Sequence, residues 1–154
     1  MISLPQAMGP AAPRGRPAAQ VRARISWYEH LCATAMSGSG IVRLDQPLAP
    51  EHSKPPAERL LAGNPQLEVR NYFSDPSEQF FAGRWSATRG KWRVRYSENE
   101  LCVMVAGRVL LESAAGARES FGPGDAFVVP AGFVGTWEVL EDCTKIYAIF
   151  EPRS

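Results

Sequence analysis

The sequence predicts an all-β fold of the sandwich or small-barrel kind, and three observations predict it. From Gln66 onward, short apolar stretches rich in Val, Phe, Tyr and Trp recur at even spacing. Turn-forming pairs separate them, at Asp75-Pro76, Arg89-Gly90, Ala115-Gly116, Pro123-Gly124 and Glu141-Asp142. No helical period of apolar residues lies between them. Short strands punctuated by turn residues, without helices to carry crossovers, stack or close on themselves as a sandwich or barrel.

Taken in order, the expected strands are Leu67–Phe73, Gln79–Ser86, Lys91–Tyr96, Glu100–Ala106, Arg108–Ser113, Arg118–Phe121, Ala126–Val129, Gly135–Glu141 and Thr144–Phe150. Gly107, between two of them, is read as a tight reversal with a positive φ. In the turn at Gly122-Pro-Gly124-Asp125 the proline fixes one φ and the glycine frees another. Pro130-Ala-Gly132 ends the strand before it, because proline donates nothing to a ladder. All three are scaffold features.

The chain before Gln66 is unlike the rest. Residues 1–40 carry Arg14, Arg16, Arg22 and Arg24 against Glu29 alone, a local net of +3. Pro, Ala, Gly and Ser dominate, and the composition is that of a disordered tail. Met36, followed by Ser-Gly-Ser-Gly, is an alternative start. Residues 41–65 read as an extended arm. Pro47, Pro50, Pro55 and Pro56 break long helices and interior strands there, with one helical turn expected at Ala57–Leu61. Ile41, Leu44, Leu48, Leu60 and Leu61 are expected to lay this arm on the barrel surface. Nine of the 13 prolines precede residue 66, which sets a boundary there and leaves residues 66–154 as the β domain.

Bulk properties exclude several classes. A net charge of +1 gives no reason to expect a nucleic-acid or membrane partner. No apolar run reaches the 18 residues of a spanning helix. Cys32, Cys102 and Cys143 are far apart and odd in number, and no C-x-x-C spacing occurs. Neither a disulfide framework nor a cysteine zinc site is expected, and a reducing, cytoplasmic setting suits them. Gly122-Pro-Gly124 lacks the spacing and the lysine of a phosphate loop, and no Gly-x-Ser-x-Gly motif occurs.

Two stretches narrow the fold further. One runs Gly90-Lys-Trp-Arg-Val-Arg-Tyr96-Ser-Glu-Asn-Glu100-Leu-Cys102-Val-Met-Val-Ala-Gly107, the other Gly124-Asp125-Ala-Phe-Val-Val-Pro130-Ala-Gly132-Phe-Val-Gly135-Thr-Trp137. Their spacing resembles the two motifs of the cupin superfamily. With Trp85, Tyr96 and Lys145-Ile-Tyr147, the set resembles small single-domain cupins similar to the cupin domain of (S)-ureidoglycine aminohydrolase. The resemblance covers roughly residues 80 to 150. It implies a single jelly-roll β-barrel behind the Pro-rich arm. In the family pattern Glu100 matches the glutamate metal ligand, Val94 and Tyr96 fall at the two histidines of the first motif, and Gly135 falls at the histidine of the second. The only histidines, His30 and His52, lie outside both motifs. A lone carboxylate is too few donors for a transition metal, so no metal and no cofactor are expected.

Period-2 alternation assigns faces. If Glu100 points inward, so do Cys102 and Met104, while Leu101, Val103 and Val105 form an outward apolar stripe that a second subunit would cover. Trp92, Val94 and Tyr96 share the inward face, and Lys91, Arg93 and Arg95 point out. Gly135, Trp137 and Val139 face in, as do Lys145, Tyr147 and Ile149 on the family pattern. The expected pocket therefore holds Trp85, Tyr96, Glu100, Cys102, Phe133, Trp137, Lys145 and Tyr147. It reads as an aromatic-lined, metal-free site for a small polar metabolite, with a Glu100/Lys145 pair for orientation. Cys102 has no histidine partner in the barrel and reads as a small buried hydrophobe. A rival reading is an isomerase, hydrolase or lyase with Glu100 as general base and Lys145 or Tyr96 at the developing charge. Two more are a metal-dependent, aminohydrolase-like enzyme using Glu100 with Tyr96 or Cys102, and a partner-binding module. The expected partners are a small ligand and a second copy of the chain.

Overall fold

The computed structural model describes residues 40–152. The tail read over residues 1–40, apart from Gly40, and the alternative start at Met36 lie outside the described residues. Among the described residues nine strands form one curled antiparallel sheet, a half-barrel: β1 (Glu51–Ser53), β2 (Leu60–Gly63), β3 (Leu67–Ser74), β4 (Phe80–Ala87), β5 (Gly90–Arg95), β6 (Asn99–Ser113), β7 (Arg118–Phe121), β8 (Ala126–Val129) and β9 (Val134–Phe150).

β9 is the spine. Along one edge its first half pairs with β5 and its second half with β4, while along the other edge β6 accompanies it from Asn99 to Ser113. The free edge of β6 takes β8 at Glu100–Val103 and β7 at Val109–Glu112. β1 and β2 close the path at the edges, beside β3 and β5. The arm thus contributes two short strands. Their place at the edges agrees with the prolines around them, because an edge strand tolerates a missing N–H.

Two expectations are corrected. Gly107 does not reverse the chain, and Glu141-Asp142 is not a turn: β6 and β9 each run through as one long strand. Gly107 does have a positive φ, 73°. It sits within register shifts between Met104 and Val109, where an extra residue bends the strand rather than ending it. A Cβ at Gly107 would come within 2.6 Å of Cys143 Cα and clash with the Asp142 carbonyl, so the two long strands touch at this corner. Asp142 accepts the Arg89 N–H through Oδ1 at 2.9 Å, a side-chain contact rather than a turn.

Other turns form as read. The Asp75 carboxylate gathers the N–H groups of Ser77, Gln79 and Phe80 at 2.7–3.0 Å, as well as the Ser77 hydroxyl, which fixes the β3–β4 hairpin and lowers its pKa to about 2. In the arm, Arg59 and Leu60 both donate to the Pro56 carbonyl, giving one helix-like turn. The Tyr72 hydroxyl donates to Gln46 O at 2.8 Å and Arg70 Nε to Leu48 O at 3.0 Å, holding the arm against β3. Leu44, Leu48 and Leu60 are half-buried, whereas Ile41 and Leu61 are largely exposed.

The alternation holds on the central strands. Glu100, Cys102, Met104, Trp92, Trp137, Val139, Lys145, Tyr147 and Ile149 are all buried, while Leu101 and Val105 are exposed on the opposite face. Each large apolar side chain so buried contributes roughly 1.5–3 kcal/mol.

Candidate functional site

Cross-strand register builds the interior cluster. Glu100 and Cys102 share a face of β6, and Lys145 and Tyr147 share a face of the adjoining β9. Trp85 pairs with Lys145 across β4, and Trp92 pairs with Trp137 across β5. Partners directly opposite point to the same side, so these side chains meet.

Lys145 is the centre of the cluster. Its Nζ donates to Glu100 Oε1 at 2.7 Å and to Cys102 Sγ at 3.2 Å. It also stands over the rings of Trp137 at 4.5 Å and Trp85 at 5.1 Å. The carboxylate, the sulfur and two aromatic faces surround one ammonium. Burial works against that charge, but the neighbouring Cys102 and Glu100 outweigh it, so the lysine pKa is raised and the ammonium persists. Lys145 is 4% exposed and Glu100 5%, so the pair is sealed. Burial pushes the Cys102 thiol up to about 12 against the pull of Lys145, leaving it a neutral thiol. Burial, then the Glu100 charge, raises the phenols of Tyr96 and Tyr147.

The remaining expected residues surround this centre. Trp85 meets Trp137 edge-on at 5.7 Å, and half-buried Tyr96 meets Phe133 edge-on at 6.2 Å. The Tyr147 hydroxyl donates to Asn71 Oδ1 at 2.9 Å, and Asn71 donates onward to Ser74 Oγ. Trp137 Nε1 is buried without a hydrogen-bond partner.

Open space lies beside this cluster. A cavity of about 240 Å³ is walled by Leu111, Phe121, Phe127, Val128, Val129, Pro130 and Phe133, with Ser113, Ala117 and Glu119 completing it. Of the eight expected pocket residues, Phe133 alone is among these walls. Phe121 and Phe127 stack at 3.8 Å, and Phe127 in turn meets Trp137 at 6.3 Å. A chain of contacts therefore runs from the cavity through Phe127 and Trp137 to Lys145. Phe121, Phe127 and Glu119 went unread in the sequence. Their strands were assigned, but the inward register of β7 and β8 against β6 is a nonlocal property.

The donors do not fit the metal that the cupin resemblance implies. The one matching carboxylate is held by a lysine ammonium, which supplies the positive charge itself. Val94 and Gly135 bring no donor, and a Cβ at Gly135 would clash with the Glu112 carbonyl and lie 3.0 Å from Phe133, so no imidazole fits there. Among the described residues no group of three or more His, Cys, Asp or Glu is placed to hold an ion. His52 lies on edge strand β1 with its side chain exposed, 3.7 Å from Glu68.

Comparison with known proteins agrees with this architecture. The model of the EutQ-like cupin domain matches residues 74–147. A DUF861-family protein of unknown function from Pseudomonas syringae pv. tomato superposes with a TM-score of 0.63 at 25% identity, over 70% of this chain and 46% of that one. The chain thus spans about half the length of that protein. The EutQ protein of Clostridium difficile superposes at 0.51 with 15% identity, over 56% of this chain and 64% of that one. Ectoine synthase from P. lautus does so at 0.51 with 12% identity, over 57% and 66%. No curated protein matches the chain. Over residues 74–147 the chain is thus similar to the EutQ-like cupin domain, and its β domain shares the cupin fold with the DUF861-family and EutQ proteins.

Proposed function

We propose that the domain binds a small molecule at the barrel mouth, in the cavity walled by Phe121, Phe127 and Phe133, without a metal ion. The observation that carries this reading is the cavity itself: about 240 Å³ of open, mainly apolar space with a few polar groups at its rim. The ion pair of Glu100 and Lys145 serves it from behind. It fixes Trp85 and Trp137 around the ammonium, and Trp137 supports Phe127. Trp85, Tyr96, Cys102, Trp137 and Tyr147 act here as the backing of the site, and Phe133 as its wall. A thermal-shift screen with small acids, ureides, amines and sugars tests the reading. At least one class should raise the melting temperature, and Ala117→Phe, which plugs the mouth, should remove the shift. A screen without any stabilising compound would refute it.

A second reading, acid–base chemistry on a small metabolite in an isomerase, hydrolase or lyase reaction, draws on the Lys145–Glu100 contact and on the Tyr96 phenol, which burial and then the Glu100 charge raise. It requires Glu100 to release its lysine before it takes a proton. Unchanged turnover in a folded Glu100→Gln protein would remove Glu100 from any such mechanism.

The assembly proposed is a homodimer. Leu101 and Val103 continue across the register onto Val128 and Ala126 of β8 and onto Ile146 and Ala148 of β9, with exposed Val105 beyond them on β6. These positions are all aliphatic, Arg84 of β4 borders them opposite Ile146, and Val128 is 59% exposed. A self-complementary aliphatic face suits an isologous pair of copies.

A further inference from the structure

We infer that the ligand of the mouth cavity is a small organic cation with an apolar body, held by Glu119 against the phenylalanine rings. This rests on the reading of the cavity as the binding site and names its chemical class. The cavity contains one charged side chain, Glu119. Register turns it toward the space: Glu119 lies directly opposite Leu111, which is buried on the inward face, and Phe121 lies opposite buried Val109. Residues opposite each other across a ladder share a face, so the carboxylate and the Phe121 ring stand on the cavity side of β7.

The neighbouring cations are engaged elsewhere. Arg118 lies opposite Glu112, on the other face, and bonds to it at 3.1 Å. Lys91 is shared between Glu112 at 3.7 Å and Glu138 at 3.0 Å. Arg108 lies 3.8 Å from Glu141. The Glu119 carboxylate, by contrast, forms no ion pair or side-chain hydrogen bond among the described residues. An unpaired carboxylate at the rim of a cavity otherwise lined with apolar side chains and three phenylalanines attracts a cation and repels an anion. Aromatic faces add to the attraction for an ammonium and offer nothing comparable to a neutral isostere. Ser113 contributes a hydroxyl oxygen to the same lining.

Isothermal titration of the full chain with benzylamine, benzyl alcohol and benzoate tests the assignment, with Glu119→Gln alongside. Benzylamine should bind about fivefold more tightly than benzyl alcohol, with benzoate weakest. Glu119→Gln should abolish that preference and leave benzyl alcohol unaffected, and added salt should shrink the preference in the native protein. The exposed position of Glu119 makes misfolding of the variant an unimportant risk, and its melting temperature checks this. Equal affinities for benzylamine and benzyl alcohol, or a preference that survives Glu119→Gln, would overturn the cation assignment while leaving the cavity as a binding site. Failure of all three probes to bind would overturn the cation assignment, and failure of the broader screen as well would remove the cavity reading beneath it.

Discussion

Lys145 Nζ lies 2.7 Å from Glu100 Oε1, with both side chains almost closed to solvent. Truncating either partner leaves a buried charge without its counter-ion. Lys145→Met and Glu100→Gln should each destabilise the domain by about 3–5 kcal/mol. The double variant should cost clearly less than the sum, because it removes both charges. Urea unfolding of the four proteins measures the cycle, and simple additivity would mean the pair is not coupled.

Stability should fall on the alkaline side. The unfolded Cys102 thiol ionises near 9.0, but the folded one only near 12. Between those values the unfolded chain binds fewer protons than the folded one, so rising pH favours unfolding. Lys145, whose folded pKa is raised, acts in the same direction: its contribution is complete below the unfolded lysine value and is lost as pH climbs through the folded one. Melting temperatures from pH 7 to 11 should decline above about pH 9. Cys102→Ala should flatten part of that decline.

Cys102 and Cys143 should resist thiol reagents in the native state. Both are buried, and burial pushes Cys143 up to about 11. In a Cys32→Ser background, neither thiol should react with Ellman's reagent within minutes at pH 8, and both should react at once in urea. Fast native reaction of either would contradict the burial.

Gly135→Ala should destabilise the domain by roughly 1–3 kcal/mol, since its Cβ meets the Glu112 carbonyl on the neighbouring strand. Gly135→His, which restores the imidazole of the family pattern, should cost at least as much and gain no manganese or nickel stabilisation in a thermal-shift titration. A metal-dependent rise in melting temperature would show that the site adapts after all.

Leu101→Lys should convert a dimer to a monomer by light scattering, with the fold intact by circular dichroism. A native chain that is already monomeric would remove the second-copy assignment.

Much of the barrel was legible because alternation is local. One inward residue, Glu100, correctly sorted Cys102, Met104, Leu101 and Val105. Strand ends were harder to read. Gly107 and Asp142 are turn-forming residue types, yet here they serve a bulge and a side-chain bond to Arg89, and the sequence signal for those uses is the same as for a turn. The approach of Lys145 to Glu100 followed from facing assignments together with the family resemblance. The cavity was not legible, because it depends on which residues of β7 and β8 oppose Val109, Leu111 and Cys102. Phe121, Phe127 and Glu119 belong to strands read correctly as strands, but pairing partners are set by the whole fold.

The most direct test is a two-dimensional ¹H–¹⁵N NMR titration of the chain with the stabilising compounds from the thermal screen. The amides of Phe121, Phe127 and Phe133 and the indole N–H of Trp137 should shift together and saturate at one affinity, with no change on adding manganese, nickel or zinc. Shifts confined to the outer face around Leu101 and Val105, or line broadening at Glu100 and Lys145 by paramagnetic manganese, would contradict a metal-free binding site at the barrel mouth.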